Sequence, residues 1–344
     1  MTIPSLNTRK TVSRRTLFQT GAAIAAAAAF PMPAISQGKP KANVIIAGGS
    51  FSLMQIQLLN EMKLFDKYGV DVNLVTVSDT AKILAGLISG DADFCAGAGF
   101  SGLFPAIERG AKAKIIAGAA LAPLNIMYSS KPDIKSVKDL PGRTVGTGQM
   151  GALLHQLAVG IMKKHGVDYT KVQFANVGSS ADVFKALVSG VIDAGVAPIE
   201  FRDSAAKFKL YPLADGEFWK ELPLYANQAM YASEKAINDR RQGVVLALAA
   251  YGDMFRWMAD DKNKQAFYRY YKQAVKAATD EEATFLQDFL SKPGALATNL
   301  VLSEAQLRYI QDLNVELGQQ KAVLPFSQVA DMSLAEEALK LIKG

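Results

Sequence analysis

The chain repeats a short pattern at an offset of 100 residues. Ala81, Leu87, Ser89, Gly90 and Asp93 recur without a gap as Ala181, Leu187, Ser189, Gly190 and Asp193. Further upstream, Gly69-Val70-Asp71 reappears as Gly166-Val167-Asp168. Solenoid repeats run about 20–50 residues, so this longer period instead indicates the two halves of a two-lobed protein. Two similar lobes that face each other form a cleft, and such clefts bind small molecules.

The first 36 residues have the features of an export signal. The basic segment Arg9–Arg15 contains no acidic residue, and Ser13–Phe18 resembles a twin-arginine motif. The apolar stretch 21–30 is shorter than the about 18–20 residues that span a bilayer, which argues against a membrane anchor. Ala34-Ile35-Ser36 places small residues at a signal-peptidase site. We therefore predict cleavage after Ser36, export by the twin-arginine route and a periplasmic mature protein.

Loss of this leader lowers the charge of the chain. The full sequence has 38 Lys and Arg against 32 Asp and Glu, a net charge of +6; without the four basic residues of the leader, 34 and 32 remain, or +2. A charge this small gives no reason to expect a nucleic-acid partner. Cys95 is the single cysteine, which excludes an intramolecular disulfide and a cysteine metal cluster. We predict no metal and no cofactor.

Short apolar runs alternate with helical patterns from residue 43 to residue 197. Alternation of this kind predicts α/β architecture, with mostly parallel sheets and right-handed crossovers. Ligands of such sheets bind beyond the carboxyl ends of the strands. Ala229–Ala232 is expected to be a strand that crosses back to the first lobe, and helices are expected from Glu234 onward. The expected helices include Leu53–Phe65, Thr80–Ile88, Ala152–His165, Arg240–Met258 and Lys262–Ala277, with a capping box at Ser303–Gln306.

Two glycine motifs, Gly97–Gly102 and Gly146–Gly151, have the G-x-G-x-x-G spacing of a dinucleotide-binding turn. That fingerprint also needs an acidic residue at the end of the next strand to bind a ribose. After Val172–Val177, however, the chain reads Gly178-Ser179-Ser180. We therefore interpret both motifs as tight turns that expose backbone N–H groups at helix starts, where polar or anionic groups bind. One such turn in each lobe could face the other across the cleft.

The sequence contains few candidate catalytic residues. The sequence has two histidines, His155 and His165, and neither belongs to a catalytic triad order or a metal-binding spacing. His155 follows Gly151 by one helical turn, so it is a candidate to support that turn rather than to contact a ligand. Cys95 is expected to be a small buried apolar residue. We find no acid–base set for a periplasmic enzyme and predict a non-enzyme.

The repeated segments resemble a known family. Gly69–Val72, the pattern from Leu87 to Phe94 and its counterpart from Leu187 to Ala194 are similar to nitrate-, sulfonate- and taurine-type (NMT1/THI5-like) periplasmic binding proteins. The segment Ile134–Gly146 resembles the start of that family's second lobe. Members often carry Trp-Glu-Pro at the end of a second-lobe strand, whereas this chain has Ala197-Pro198-Ile199-Glu200-Phe201. The cysteine-rich motif of the pyrimidine-precursor branch is absent from the sequence.

The resemblance implies a type II periplasmic binding protein, in which each lobe is a mixed, mostly parallel sheet flanked by helices. Residues 43–128 with 230–344 would form lobe 1, with the helical C-terminal tail on it, and residues 129–229 would form lobe 2. Chain crossings near Ser129–Lys131 and Tyr225–Ala229 would form the hinge. The partners implied are a small-molecule ligand and the permease and ATPase subunits of an ABC importer in the inner membrane, and a monomer is expected.

Candidate ligand contacts come from the strand ends. The ligand would be a small organic anion, a sulfonate or carboxylate with or without an aromatic body. The alternatives are a binding protein for a periplasmic sensor, a pyrimidine-precursor binder and a periplasmic enzyme. The candidate residues are Ser50, Phe51, Ser78, Thr80, Gly99, Phe100 and Asn125 from lobe 1, and Thr147, Gln149, Met150, Gly151, Ala197, Glu200 and Tyr225 from lobe 2.

Overall fold

The computed structural model describes residues 38–77, 80–276 and 278–342. Residues 39–344 group into one compact unit. The predicted leader and its cleavage site after Ser36 lie outside the described residues. Within the described ranges, no helix is both long and apolar enough to cross a membrane.

Ten strands form two five-stranded sheets in the described residues. The first sheet has the order β2-β1-β3-β10-β4 and the second β7-β6-β8-β5-β9. The strands are β1 (Lys41–Ala47), β2 (Asp71–Val77), β3 (Phe94–Ala98), β4 (Ala113–Gly118), β5 (Asn125–Ser129), β6 (Thr144–Thr147), β7 (Gln173–Asn176), β8 (Ala194–Pro198), β9 (Tyr211–Glu217) and β10 (Ala229–Ser233). Below, each sheet with the helices packed on it is called a lobe.

The two sheets share one plan. In the first, β1 pairs in parallel with β2 and β3, and β10 is antiparallel between β3 and β4. In the second, β6 pairs in parallel with β7 and β8, and β5 is antiparallel between β8 and β9. The antiparallel strand thus occupies the same place in both sheets. This confirms the predicted α/β class with two mixed, mostly parallel sheets.

The repeated residues have equivalent backbone contacts and conformations in the two lobes. The Asp93 carboxylate accepts a hydrogen bond from the backbone N–H of Asn43 at 2.7 Å, and the Asp193 carboxylate accepts one from Thr144 at 3.0 Å. Each aspartate therefore fixes the start of the strand that pairs in parallel with two neighbours, β1 in the first sheet and β6 in the second. Gly69 and Gly166 both adopt φ +67°, where a side chain is strained, so these repeat positions require glycine for the backbone. These repeated residues therefore specify the same backbone geometry in both lobes.

Fourteen helices are present in the described residues. They are α1 (Ser50–Glu61), α2 (Leu64–Lys67), α3 (Thr80–Ser89), α4 (Leu103–Glu108), α5 (Leu153–Lys164), α6 (Ser180–Val188), α7 (Phe218–Glu221), α8 (Glu234–Asp239), α9 (Arg241–Ala259), α10 (Lys264–Ala274), α11 (Asp280–Leu290), α12 (Glu304–Glu316), α13 (Phe326–Val329) and α14 (Ser333–Leu341). The helix expected over Leu53–Phe65 is interrupted because Lys63 adopts a left-handed φ of +48°. The capping box at Ser303 and Gln306 is confirmed.

The first chain crossing lies earlier than the sequence indicated. Residues 125–128, assigned to lobe 1, belong to β5, which pairs with β8 and β9 of the second sheet. The crossing therefore precedes Asn125 instead of lying near Ser129–Lys131. Strands β5 and β9 were both missed, since two antiparallel strands at one edge of a sheet interrupt the α/β rhythm.

The C-terminal helices contact both lobes. Helix α9 packs on β1, where a Cβ on Gly243 would lie 2.2 Å from the Lys41 carbonyl oxygen, so this crossing requires glycine. Helix α11 packs against the 3-10 turn Ile199–Phe201 of lobe 2. The expected tail on lobe 1 therefore also forms a bridge to lobe 2.

Candidate functional site

The two glycine turns meet at the boundary between the lobes. Ser101, in the turn after β3, donates its hydroxyl hydrogen bond to the carbonyl oxygen of Gly151 at 3.2 Å. A Cβ on Gly99 would lie 3.0 Å from the Cβ of Leu153, the first residue of α5. The carboxyl ends of β3 and β6 therefore face each other, as parallel-sheet topology predicts for a ligand cleft.

His155 supports the second turn. Its Nδ1 accepts a hydrogen bond from the backbone N–H of Gly151 at 3.1 Å, which requires that nitrogen to be unprotonated. Burial lowers the pKa of His155, and its ring packs edge-on against Phe174 with centroids 4.6 Å apart. The neutral imidazole thus fixes the backbone of Gly151, whose φ is +80°. The supporting role expected from the sequence agrees with this geometry.

A buried polar network lies behind the turns. Asn314 of α12 donates to the carbonyl oxygen of Ser101 at 2.8 Å and accepts a hydrogen bond from Gln156 of α5. Tyr225 donates to Gln156 at 3.1 Å. The side chains of all three are at least 98% buried, so each hydrogen bond replaces one to water. Helix α12 therefore ties the first glycine turn to lobe 2.

Glu200 and Ser50 form a second contact between the lobes. Ser50 begins α1 at the carboxyl end of β1, and its side chain hydrogen-bonds to the carboxylate of Glu200, two residues after β8. Glu200 is 91% buried, and this burial, together with the smaller effect of charge repulsion from Glu282 of α11, raises its pKa to about 7. Tyr271 of α10 also hydrogen-bonds to Ser50. Helices α10 and α11 therefore close one side of this contact.

Some predicted contacts are already packed in the protein interior. Phe100 is 2% exposed and packs edge-on against Phe104 with centroids 5.8 Å apart. Thr147 and Ala197 are fully buried, and Tyr225 belongs to the network above. For these four, contact with a ligand would have to use backbone atoms or follow a rearrangement.

The other candidates lie around the boundary. Ser50, Phe51 and Gly99 are half-buried, Gln149 and Met150 are exposed, and Gly151 and Asn125 are buried. Asn125 comes from the second sheet and not, as expected, from lobe 1. Thr80 begins α3, and Ser78 lies outside the described residues. Ligand contact remains a prediction for all of them.

Sequence reasoning missed the tail residues at the site, Tyr271, Glu282 and Asn314. One signal was available for Glu282. Thr279 and Glu282 form a capping box at the start of α11, with the spacing T-x-x-E that is readable from sequence. The cap predicts a helix start but not the lobe against which it packs. Among the described residues, no group of three or more His, Cys, Asp and Glu side chains is placed to hold a metal ion.

The family model described as "NMT1/THI5 like" matches residues 60–261, which is more than half of the chain and includes both glycine turns, His155 and Glu200. The chain belongs to the NMT1/THI5-like family. A comparison with curated proteins finds no match.

Solved structures similar to this NMT1/THI5-like protein include three named as binding proteins. The alkanesulfonate-binding protein SsuA from Xanthomonas axonopodis pv. citri, bound to MOPS, is 17% identical with a TM-score of 0.68, covering 84% of this chain and 98% of its own. The periplasmic aliphatic sulphonate binding protein SsuA from Escherichia coli is 16% identical with a TM-score of 0.67, covering 85% and 92%. The periplasmic nitrate-binding protein NrtA from Synechocystis PCC 6803 is 12% identical with a TM-score of 0.70, covering 88% and 89%. At these identities the likeness establishes the fold, that of type II periplasmic binding proteins.

Proposed function

We propose that this protein is the solute-binding component of an ABC importer. The exported chain captures a small organic solute between its lobes and delivers it to a permease and its ATPase in the inner membrane. The observation that carries this proposal is the meeting of the two strand-end turns, Ser101 against Gly151, in a member of the NMT1/THI5-like family. Sulfonate and nitrate binding by similar structures supports a small polar ligand.

The starts of two helices suit such a ligand. Helices α1 and α5 have Gly49 and Ala152 at their N-cap positions and no side-chain cap there. Uncapped starts leave backbone N–H groups for an acceptor oxygen, and the helix dipole favours negative charge there. A sulfonate or carboxylate group fits this environment. The role we propose is binding without turnover.

A thermal-shift screen of residues 37–344 tests the proposal. The probes are ethanesulfonate, taurine, nitrate, benzoate and uracil, and each hit is followed by NMR for chemical change. A solute at 100 times its Kd stabilises the folded state by about 2.7 kcal/mol, which raises the Tm measurably. A hit that remains chemically intact supports the importer role. A hit that is consumed, or no hit in the panel, contradicts it.

A further inference from the structure

The carboxylate of Glu200 is buried at the lobe boundary without a basic partner in the described residues. The nearest arginine in sequence, Arg202, is bound to Glu217 at 2.7 Å and to Asp203 at 2.9 Å. Lys207 pairs with Glu281 at 2.6 Å. Both basic side chains are therefore paired with other acids. Glu200 differs from Glu217, Asp203 and Glu281 because it has no basic partner within the described part of the chain.

Side chains from four elements interact with Glu200. Ser50 of α1 hydrogen-bonds to it, and Glu282 of α11 repels it. Tyr271 of α10 and Tyr128 of β5 have their own pKa values raised in part by the negative charge of Glu200. A buried carboxylate that has one serine hydroxyl as a partner and a second acid nearby lacks the cation that usually compensates such a charge.

A second acceptor near the turns also lacks a donor. The side-chain oxygen of Gln228 is buried and accepts no hydrogen bond from the described residues. It lies 3.5 Å from the position of a Cβ on Gly97, at the carboxyl end of β3. Buried acceptors are normally satisfied. An N–H donor brought to the end of β3 would satisfy Gln228.

We infer that Glu200 determines specificity by selecting solutes with a protonated amine or another N–H-rich cationic group, which serves as its counter-ion in the occupied cleft. This inference rests on the proposed solute-binding function and narrows its ligand class. The backbone N–H groups at the uncapped helix starts donate hydrogen bonds to the anionic or polar end of the solute. The carboxylate of Glu200 accepts a hydrogen bond from the N–H group at its other end. A solute that is anionic throughout would face a buried acid at this position, which is unfavourable.

Matched probe pairs test the inference by calorimetry at about pH 8, where Glu200 is ionised. The pairs are taurine with ethanesulfonate, β-alanine with propanoate, and 4-(aminomethyl)benzoate with 4-methylbenzoate. We expect an amine to bind the wild type about tenfold or more tightly than its amine-free partner, because a hydrogen bond to a charged group is involved. Glu200→Gln should remove this preference and Glu200→Asp should retain part of it. Glu217→Gln, which changes an acid already paired with Arg202, is the control and should leave the preference unchanged.

The outcomes separate the inference from the proposed function. Binding by the amine-free members alone, or an unchanged amine preference in a folded Glu200→Gln variant, overturns the inference while solute binding stands. Failure of every probe to bind the wild type overturns the inference and contradicts the proposed function as well.

Discussion

The hydroxyl of Ser101 lies 3.2 Å from the carbonyl oxygen of Gly151, to which it donates a hydrogen bond across the lobe boundary. Each residue belongs to a glycine turn at the carboxyl end of a strand in its own sheet. The contact joins two lobes with the same strand order, and we expect it to break when the lobes separate.

Gly99→Val should hold the lobes apart. Even a Cβ at Gly99 would lie 3.0 Å from Leu153 across the boundary, so the larger valine forces the turns to separate. Gly102→Val is a matched control in the same turn, since a Cβ there has open space and the φ of −70° suits any residue. Small-angle scattering should give a larger radius of gyration for Gly99→Val than for wild type and Gly102→Val. Equal radii for all three would contradict a closed boundary at Gly99.

The pH dependence of the unfolding free energy should show the titration of Glu200. Its pKa of about 7 in the folded state exceeds its ordinary value of 4.5, so the folded state holds a proton that the unfolded state releases. The stability that this proton provides is present below pH 4.5 and is lost as pH rises towards 7. Glu200→Gln removes the cost of holding an ionised carboxylate in the folded protein. The variant should therefore be stabilised relative to wild type by roughly 3 kcal/mol more at about pH 8 than at about pH 4.

Urea unfolding of both proteins across this range measures that difference. Glu217→Gln serves as the control, because its acid is paired with Arg202 and the Glu200 titration remains. A Glu200→Gln variant that follows the wild-type pH profile would show that Glu200 is not the buried acid responsible.

His155 should make the folded protein more stable as pH rises, which is the opposite of the effect of Glu200. Its pKa is lowered by burial, so the folded state binds its proton less readily than the unfolded state does. The stability provided by neutral His155 is present above its ordinary pKa of 6.5 and is lost as pH falls below that value. Protonation of Nδ1 also removes the acceptor for the Gly151 N–H.

Comparison of wild type with His155→Gln by urea unfolding isolates this contribution. We expect the wild type to lose its advantage over the variant as pH falls from about 7.5 to about 5. A difference in stability that is independent of pH would show that His155 does not titrate between the two states.

Asn314→Ala should weaken the tie between α12 and the lobes. Asn314 is 1% exposed and bonds to Gln156, Ser101 and Gln320, so truncation leaves buried partners unsatisfied. A loss of about 2–4 kcal/mol in unfolding free energy is expected. Arg308→Ala on the same helix removes only an exposed pair with Asp312 at 3.8 Å and should change stability by less than about 0.5 kcal/mol. Similar losses for both variants would rule out a specific role for the network.

Much of the fold could be predicted from the repeat. The same backbone roles are filled by Asp93 and Asp193, and by Gly69 and Gly166. Residues with such roles are expected at equivalent positions when two sheets have the same strand order. The facing of the two glycine turns also followed from the sequence, since the carboxyl ends of parallel strands share one edge.

The remainder of the site depends on long-range packing. Glu282 and Tyr271 interact with Glu200 although they lie more than 70 positions from it along the chain, and no local pattern specifies such a contact. Phe100 follows a strand end as a ligand contact would, yet its ring packs in the core against Phe104. Periodicity alone does not distinguish these two environments.

The most direct test of solute capture between the lobes is a distance measurement between two spin labels, at Ile88→Cys and Val188→Cys. These equivalent, exposed positions lie in the last turns of α3 and α6 in different lobes, and the native Cys95 is fully buried, which protects it from the label. With a solute that stabilises the protein, we predict a narrow distance distribution that is broader or shifted without the solute, and a loss of this response in Gly99→Val. A solute that binds and stabilises the wild type while leaving the distribution unchanged, and that binds Gly99→Val equally well, would contradict binding between the lobes.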